Sequence, residues 1–389
     1  MRVALVVHRF PERSEGFLVD HALGLLAAGV DVHVVADTVD ADAVRERAPE
    51  LAGRVHANPT GAGGRRAVAV RTGIDVLRRP GVALRHALRL RGVEGAVAAL
   101  ARDLPLVALA PAVVHTEFLT LARHRTHLPA TLGCVLTSSV RGYDVAYAGL
   151  DDPGFYDHVW PALTALHVLG DDLWAQARRR GAPEDLAHTA IPPAVDAAAV
   201  PTARPAGLGP LRLVSVGRLH WKKGHHHALA ALRLLRDAGV DARLRIVGDG
   251  PELEQIAFAR HQLGLDDHVD LVRGLDRPGA WAELAEAHVL VHAAVSEGFG
   301  NAVLEAQAAG LPVVTTDAEG LAANVEDGVT GLVVPRRDPA ALAAAVQELA
   351  ADPERRVAMG RAGRERAATR FRPQDQHAAF VTFFTEALG

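Results

Sequence analysis

The sequence predicts an α/β protein with two doubly wound domains, and three features support this fold class. The chain has 389 residues, too many for one ordinary core but suited to two domains. In both halves, short apolar runs of strand length alternate with helical patterns, which is typical of parallel sheets. Prolines cluster between residues 191 and 210, as in a linker. We therefore place a domain over residues 1–195, a second over 196–372 and a final helix over 373–389.

Composition and charge exclude several classes of protein. An apolar content of 49% with 23% charged residues rules out disorder, and a net charge of −4 argues against a general nucleic-acid binder. The single cysteine, Cys134, permits no intramolecular disulfide and is best interpreted as a core residue. The chain shows neither the apolar core of a signal peptide nor the ~20-residue apolar run that spans a bilayer. We expect a cytoplasmic protein whose membrane contact is at most peripheral, at the inner face.

The N-terminal half opens with a strand–helix–strand unit. Val3–Val7 is a continuous aliphatic run, a helical pattern follows through Leu26, and Val30–Ala36 forms the next strand. The loop after the first strand lacks the Gly-x-Gly-x-x-Gly pattern, so we predict no nicotinamide or flavin cofactor. Further elements are predicted in order as strands at 105–114, 131–137 and 162–169 and a helix at 171–180.

Between these elements, residues 61–103 hold nine arginines against three acidic residues. This basic stretch is either a solvated helical face or a surface that contacts anionic lipid headgroups or a phosphorylated acceptor. Both interpretations stay open at this point.

Polar clusters follow two predicted strands of this half, at His115–Phe118 and at Ser138–Asp144. Because loops at the carboxyl ends of parallel strands line the ligand crevice, we expect both clusters to face it. For His115 the alternative is a core histidine.

The second half repeats the same order of strands and helices. Its predicted strands, which alternate with helices, are 211–216, 242–247, 269–272, 289–293, 312–315 and 331–334.

A basic loop follows the first of these strands. Arg218 comes directly after the strand, and Lys222 and Lys223 precede a helix. Arginine can bind phosphate oxygens bidentately and lysine adds a mobile point charge, so this loop is a candidate pyrophosphate site, unless it is a solvated basic turn. The consecutive histidines 225–227 point in different directions on a helix and cannot share one metal ion, so we predict no metal site there.

The stretch Ser296–Glu305 combines a strand end, a glycine loop and a helix start. Gly298 and Gly300 let the backbone approach a ligand, and Asn301 is a candidate N-cap. Glu297 and Glu305 could accept hydrogen bonds from the hydroxyls of one sugar. The alternative is that both are ordinary acidic residues favoured near a helix start.

Taken together, these motifs resemble those of the retaining glycosyltransferases of family four. The similar segments occur in the family's order over residues 211–372, and they are 217–224, 246–251, 297–305, 310–314 and 327–332. The N-terminal half resembles a bacterial polysaccharide-assembly subgroup more loosely, through Phe10-Pro11 with Ser14-Glu15, Val113–His115 and Gly142–Asp144. The resemblance implies a GT-B architecture: two Rossmann-like domains face each other across a cleft, the last helix returns to the N-terminal domain, and no metal is needed.

The resemblance also implies roles for individual residues. Arg218 and Lys223 neutralise the leaving diphosphate, Glu297 acts with them as a catalytic residue, and His115 lies on the acceptor side. Residues that bind the donor are expected to be Gly16, Arg141, Asp144, Gly248, Arg273, Gly298, Phe299, Gly300, Asn301 and Glu305. The nucleotide-diphosphosugar, most simply a UDP- or GDP-sugar, is a co-substrate, so no cofactor is expected. The acceptor would be the hydroxyl of a sugar, a lipid-linked molecule or a small molecule, in polysaccharide, glycolipid or secondary-metabolite assembly.

Two positions depart from the family's pattern. Arg141 stands where many members have histidine before Gly-Tyr-Asp, and Ala323 stands where many have glutamate. The first departure makes the donor sugar an open question, since arginine there suits an anionic donor or acceptor. The alternative functions are a non-catalytic sugar-nucleotide-binding protein, and a phosphorylase or epimerase of the same architecture.

Overall fold

The structure is a computed structural model that describes residues 1–12, 15–58, 80–90, 96–203 and 209–389. Several residues used in the sequence analysis lie outside the described residues, namely Ser14, Pro205, Arg65, Arg66, Arg71, Arg78, Arg79 and Arg91. The chain divides into two compact units. Unit 1 comprises Met1–Ile191 together with His377–Gly389, and unit 2 comprises Pro192–Gln376.

Unit 1 is built on a parallel sheet with the strand order β3-β2-β1-β4-β5-β6-β7. Its strands are β1 (Arg2–Phe10), β2 (Asp31–Val39), β3 (Val55–Ala57), β4 (Val113–Thr116), β5 (Val135–Val140), β6 (Ala165–Val168) and β7 (His188–Ala190). The helices described between them are α1 (Gly16–Ala27), α2 (Ala41–Arg47), α3 (Pro80–Arg89), α4 (Ala96–Leu109), α5 (Leu119–Ala122), α6 (Leu128–Leu132), α7 (Tyr143–Ala146) and α8 (Asp171–Arg179).

Unit 2 is built on a second parallel sheet with the order β10-β9-β8-β11-β12-β13. Its strands are β8 (Leu211–Val216), β9 (Ala242–Val247), β10 (Val269–Val272), β11 (Val289–His292), β12 (Val313–Thr316) and β13 (Gly331–Val334). The helices that follow β8 are α9 (His225–Asp237), α10 (Leu253–Gln262), α11 (Arg277–Glu286), α12 (Asn301–Ala309), α13 (Leu321–Asn324), α14 (Pro339–Ala351), α15 (Pro353–Arg370) and α16 (Pro373–Leu388).

Each sheet is buried by helices, which explains the continuous apolar runs in its strands. Val3–Val7 in β1 is buried along its whole length, as is expected of a central parallel strand that is covered on both faces. The core of unit 1 also contains three phenylalanines from the last helix, Phe380, Phe383 and Phe384. The two predicted α/β sheets are therefore confirmed. Among the described residues, no helix is both long and apolar enough to cross a membrane.

Two predicted strands of unit 1 are wrong in part. Residues 105–109 belong to helix α4, with Pro105 inside it, and the strand is only Val113–Thr116. An apolar run of this length does not distinguish a buried helix from a buried strand. Pro105 was expected to begin a new element, but helix α4 includes this proline. Residues 131–137 likewise begin in helix α6, which Gly133 ends in a left-handed conformation, so β5 starts only at Val135.

The edge strands β3 and β7 were not predicted. Each has three residues that are not fully buried, which is too short to show a period of two.

Near the glycine loop of unit 2, the cap prediction is wrong by one residue. Gly300 is the N-cap of α12, and Asn301 is its first helical residue.

Candidate active site

The candidate site of unit 2 lies where the direction of chain progression across the sheet reverses. Strand β8 is flanked by β9 and β11, so successive connections leave it toward opposite edges of the sheet. Ligands of open α/β sheets bind outside the carboxyl ends of the strands at such a switch point. The loops after β8 and β11 are therefore the expected place for a ligand, and they contain Arg218, Lys223 and Glu297.

These two loops are joined by main-chain and side-chain contacts. The backbone N–H of Val295 donates to the carbonyl oxygen of Lys222 over 2.7 Å. The ammonium of Lys223 forms a short ion pair with Oε2 of Glu297, and both side chains are largely buried. The Nε2 atom of His292, at the end of β11, lies 3.1 Å from the same oxygen.

The charge on Glu297 is set by these neighbours. Burial alone would raise its pKa, but the positive charge of Lys223 and the contact with His292 hold it well below its usual range. Burial lowers the pKa of His292, although Glu297 opposes this effect. At neutral pH the site therefore contains an ionised carboxylate, an ammonium and a neutral imidazole that can donate Nε2–H to the carboxylate.

Arg218 is the exposed cation of the same loop. It follows β8 after Gly217, and its carbonyl oxygen lies 3.3 Å from Nε2 of the buried His225. Trp221–Lys223 then form a 3₁₀ turn before helix α9. The predicted arrangement of two cations between β8 and a helix start is thus present, at the edge where an anion would bind.

The glycine loop after β11 is held by an asparagine of another element. Asn324, buried at the end of α13, donates from Nδ2 to the carbonyl oxygens of Phe299 (2.9 Å) and Gly300 (3.0 Å). Its Oδ1 accepts a hydrogen bond from Nε2 of Gln307 over 2.7 Å. Since both carbonyls are fixed, the N–H groups at the start of α12 have a defined direction.

Gly320 allows this loop to pack tightly. Its φ is +78°, and a Cβ there would lie 2.0 Å from the carbonyl oxygen of Gly298. Gly248 has a similar role after β9, because its Cβ would lie 2.0 Å from the carbonyl oxygen of Gly217. Only glycine lets these loops approach each other so closely.

The remaining predicted donor residues of unit 2 are paired with neighbours. Oε1 of Glu305 accepts a hydrogen bond from Nε of Arg277 over 2.8 Å, and the Arg277 guanidinium also lies over the ring of Trp281. Nε of Arg273 donates to Asp249 over 2.9 Å, in an exposed pair. The Glu305 side chain is mostly buried, and its carboxylate oxygens suit an acceptor of hydroxyl hydrogen bonds.

In unit 1, Arg141 is engaged by protein groups. Its Nη2 forms a short ion pair with the fully buried Glu117, its Nε donates to the Glu117 carbonyl over 3.0 Å, and its guanidinium lies over the ring of Phe17. The positive charge of Arg141 is thus paired with a carboxylate.

His115 and Asp144 are also fully buried in unit 1. Both ring nitrogens of His115 lie 2.8 Å from hydroxyls, those of Thr137 and Ser139, and burial lowers its pKa to about 3. These contacts favour the core-histidine alternative. The Asp144 carboxylate accepts backbone N–H groups of Arg141 (3.0 Å) and Thr120 (3.3 Å). Gly16 is the first residue of α1. Roles in ligand binding stay predictions for all three.

The sequence comparison decides the family of the second half. Residues 203–366 match the family described as "Glycosyl transferases group 1". Residues 203–366 are thus similar to a group 1 glycosyltransferase domain. This domain includes Arg218, Lys223, Glu297 and Glu305, and the match confirms the resemblance derived from the motifs.

Two curated relatives are similar to part of this chain. Glycogen synthase of Mycobacterium tuberculosis is 37% identical over 184 residues, which are 47% of this chain and 44% of the relative. The GDP-mannose-dependent alpha-(1-6)-phosphatidylinositol monomannoside mannosyltransferase of Mycolicibacterium smegmatis is 39% identical over 159 residues, which are 39% of this chain and 42% of the relative. The chain thus spans less than half the length of these relatives.

A solved structure extends the likeness to both units. Anabaena HepE in complex with UDP and glucose superposes with a TM-score of 0.76 at 15% identity, over 99% of this chain and 100% of the other. At this identity the likeness concerns the fold alone. With the two parallel sheets, it confirms the predicted GT-B fold.

The sequence analysis missed residues that hold the glycosyltransferase site from outside its motifs. They are His292, Arg277 and Asn324. His292 was signalled by its place at the end of an apolar strand, where a polar side chain is unusual. Asn324 is adjacent to Ala323, and its amide supports the glycine loop.

Proposed function

We propose that this chain is a retaining glycosyltransferase that uses a nucleotide-diphosphosugar, a UDP- or GDP-sugar, as donor. The observation that supports this best is the convergence of Arg218, Lys223 and Glu297 on one sheet edge of a group 1 glycosyltransferase domain. The names of the relatives support the donor class, since one is called GDP-mannose-dependent and the HepE complex contains UDP.

In the proposed reaction the two cations act on the leaving group. Cleavage of the bond between the anomeric carbon and the phosphate oxygen leaves charge on the diphosphate, which Arg218 and Lys223 stabilise more in the transition state than in the ground state. The acceptor oxygen bonds to the anomeric carbon from the same face, and its proton passes to the departing phosphate. No protein nucleophile and no metal step is required.

The two glutamates position the donor. Lys223 is bound to Glu297 in the ligand-free chain, so an incoming phosphate shares this ammonium and leaves Glu297 able to accept a hydrogen bond from the sugar. Glu305, oriented by Arg277, would accept hydrogen bonds from the ribose hydroxyls. The N–H groups of the loop at Gly298, Phe299, Gly300 and Asn301 complete the donor contacts.

For the acceptor and for the location of the protein, we propose only a general class. The acceptor is a hydroxyl of a sugar, a lipid-linked molecule or a small molecule. Helix α3, in the described part of the basic region, exposes Leu84 and Leu88 beside Arg85 and Arg89. This combination supports peripheral contact with anionic lipid at the inner face of a membrane.

Turnover of site variants tests the assignment. Arg218→Ala or Glu305→Ala should lower kcat/KM at least tenfold, or ~1.4 kcal/mol of transition-state stabilisation, because each removes a contact to the donor. The measurement is release of nucleoside diphosphate from UDP- and GDP-sugars with simple glycoside acceptors. The anomeric configuration of the product, read by NMR, tests retention.

The matched control is Arg243→Ala, which removes an exposed arginine near the amino end of β9, opposite the site edge. It should keep wild-type turnover. Unchanged turnover in both site variants would remove the assignment. Donor binding without release of nucleoside diphosphate would favour the non-catalytic binding protein.

A further inference from the structure

Three segments of unit 1 bring two histidines and an aspartate together, away from the residues assigned to the donor. His86 lies on α3, Asp103 on α4, and His127 directly precedes α6. One ligand atom from each residue, a ring nitrogen or a carboxylate oxygen, lies within 4.8 Å of the other two. Among the described residues, this is the group of three or more that has metal-ligand spacing.

The three side chains converge on one carboxylate oxygen. Nε2 of His127 lies 2.5 Å from Oδ2 of Asp103, and Nε2 of His86 lies 3.2 Å from the same atom. His86 and Asp103 are fully buried, and the side chain of His127 is 14% exposed. A buried carboxylate with imidazoles on two sides is a donor set that suits Zn²⁺ and similar ions.

Protein contacts leave this group incompletely satisfied. Within the described part of the chain, Nδ1 of His86 and Oδ1 of Asp103 have no hydrogen-bond partner, and Nε2 of His86 has the contact with Oδ2 of Asp103 given above. A buried polar atom without a partner costs free energy, so such atoms indicate a ligand, an ion or a water. Here both atoms belong to residues that already converge.

We propose that His86, Asp103 and His127 bind one divalent transition-metal ion, best Zn²⁺, at a structural site in unit 1 that is separate from the donor site. The proposal does not depend on the proposed transferase function.

The distances fit this ion with a small adjustment. In a tetrahedral zinc site with bonds of about 2.0–2.1 Å, neighbouring ligand atoms are roughly 3.3 Å apart. The distance of 3.2 Å between Nε2 of His86 and Oδ2 of Asp103 already matches this value. The distance of 2.5 Å between Nε2 of His127 and the same oxygen is that of a hydrogen bond. Metal binding would replace the shared proton and widen this contact by roughly 0.8 Å.

The surrounding charges leave the converging oxygen available. Arg102 approaches the other oxygen, Oδ1, at 3.8 Å, and its Nη2 donates to the carbonyl of His124 over 2.6 Å. Buried Arg125 donates to the carbonyl of Leu121 over 2.9 Å.

Such an ion would fix helix α3 to the rest of unit 1. Helix α3 is otherwise tied to α6 through Arg89, whose Nη1 donates to the carbonyls of Ala130 (2.6 Å) and Thr131 (3.2 Å). A metal bridging α3, α4 and the residue before α6 would add a cross-link at the buried end of this contact. It would stabilise the folded state, because the unfolded chain does not hold the three ligands together.

Metal content tests the proposal. Untagged full-length protein is saturated with ZnCl₂, freed of excess by gel filtration and analysed by inductively coupled plasma mass spectrometry. We expect one Zn²⁺ per chain in the wild type, and a rise in Tm with Zn²⁺ that EDTA reverses. His86→Gln and His127→Gln should lose the ion, with Zn²⁺ affinity at least ~100-fold weaker, since even outer-shell partners cost 10–100-fold.

The matched control is His33→Gln in the same unit. His33 also contacts a histidine and an aspartate, but its two nitrogens face different partners, His56 at 3.0 Å and Asp31 at 3.4 Å. This variant should keep the ion. Circular dichroism checks the fold of each variant, and the more exposed His127→Gln decides if His86→Gln does not fold. Wild-type protein without bound Zn²⁺ and without a Tm shift, or equal loss in His33→Gln, would overturn the proposal.

Discussion

At the scale of single residues, the site is organised by the ion pair of Lys223 and Glu297. Each side chain would be costly to bury alone, and together with His292 they form a satisfied group at the switch point of the sheet. The same pair supplies the two functions required of a donor site, a cation for phosphate and a carboxylate for sugar hydroxyls. In the proposed function, the donor phosphate shares the Lys223 ammonium with Glu297.

Buried histidines make unit 1 sensitive to acid, and His115 is the clearest case. Its pKa is about 3 when folded and near 6.5 when unfolded, so between these values the unfolded chain binds more protons. Stability should therefore fall as the pH is lowered from about 6.5 toward 3. His115→Gln should lower the number of protons taken up on unfolding by up to one. The slope of the unfolding free energy against pH would then fall by up to ~1.4 kcal/mol per pH unit.

Urea unfolding followed by circular dichroism between pH 7 and pH 4.5 measures this effect. His226→Gln, at an exposed histidine of α9, is the control and should leave the slope as it is. An unchanged slope in His115→Gln would contradict the buried, neutral state of this ring.

How much of the site could be predicted from the sequence depends on where each residue's partners lie. Arg218, Lys223, Glu297 and Glu305 occur within short motifs whose spacing indicates their chemistry. The partners that hold them, such as Arg277 for Glu305, come from other elements at long sequence separations. Spacing along the chain does not contain that information. The burial of His115 was also not predictable, because a histidine at a strand end suits either a crevice or a core.

At the scale of elements, substitutions at two glycines with similar φ values distinguish the cost of steric overlap from the cost of a strained backbone. Gly320 and Gly328 have φ values of +78° and +74°, but only at Gly320 would a Cβ meet other atoms. Gly328→Ala should cost about 1 kcal/mol of stability from the left-handed backbone. Gly320→Ala should cost a further ~1–3 kcal/mol and displace the loop at Gly298, which raises KM for the donor.

Thermal unfolding and donor KM of the two variants test this pair. Equal losses of stability, or an unchanged KM in Gly320→Ala, would contradict the packing of α13 against the glycine loop.

The elements themselves were predicted unevenly, for a physical reason. In unit 2, four strands, β8, β9, β10 and β13, have the predicted bounds, and each ends directly before a glycine, a proline or a charged residue. In unit 1, residues 105–109 are equally apolar but helical, and only tertiary packing decides between these states. Strands of three residues, such as β3 and β7, depend on their neighbours in the sheet for their conformation.

At the scale of the whole molecule, the two ends of the chain form one core. Phe384, near the C-terminus, is fully buried in unit 1, and its ring centroid lies 5.2 Å from that of His115. Phe384→Ala should therefore destabilise unit 1 by about 3–5 kcal/mol, as large-to-small changes of buried aromatic residues do. Leu388→Ala, at an exposed position of the same helix, should have little effect.

Hydrogen exchange measured by mass spectrometry shows which part of the chain loses stability in Phe384→Ala. Exchange should rise in peptides of β1, β4 and α1 while peptides of β8 and β11 keep their protection. Equal exchange in both units would contradict the assignment of the final residues to the core of unit 1.

The proposed function requires that unit 2 binds a nucleotide-diphosphosugar through Arg218, Lys223 and Glu305. The most direct test is a thermal-shift screen of wild-type protein and Arg218→Ala against UDP, GDP and ADP and their common sugar conjugates. A ligand that binds only the folded state adds ~2.7 kcal/mol of stability at 100 times its Kd. We expect one nucleotide to stabilise the wild type clearly and the variant far less. A folded wild type that none of these ligands stabilises, or an equal shift in Arg218→Ala, would contradict the account.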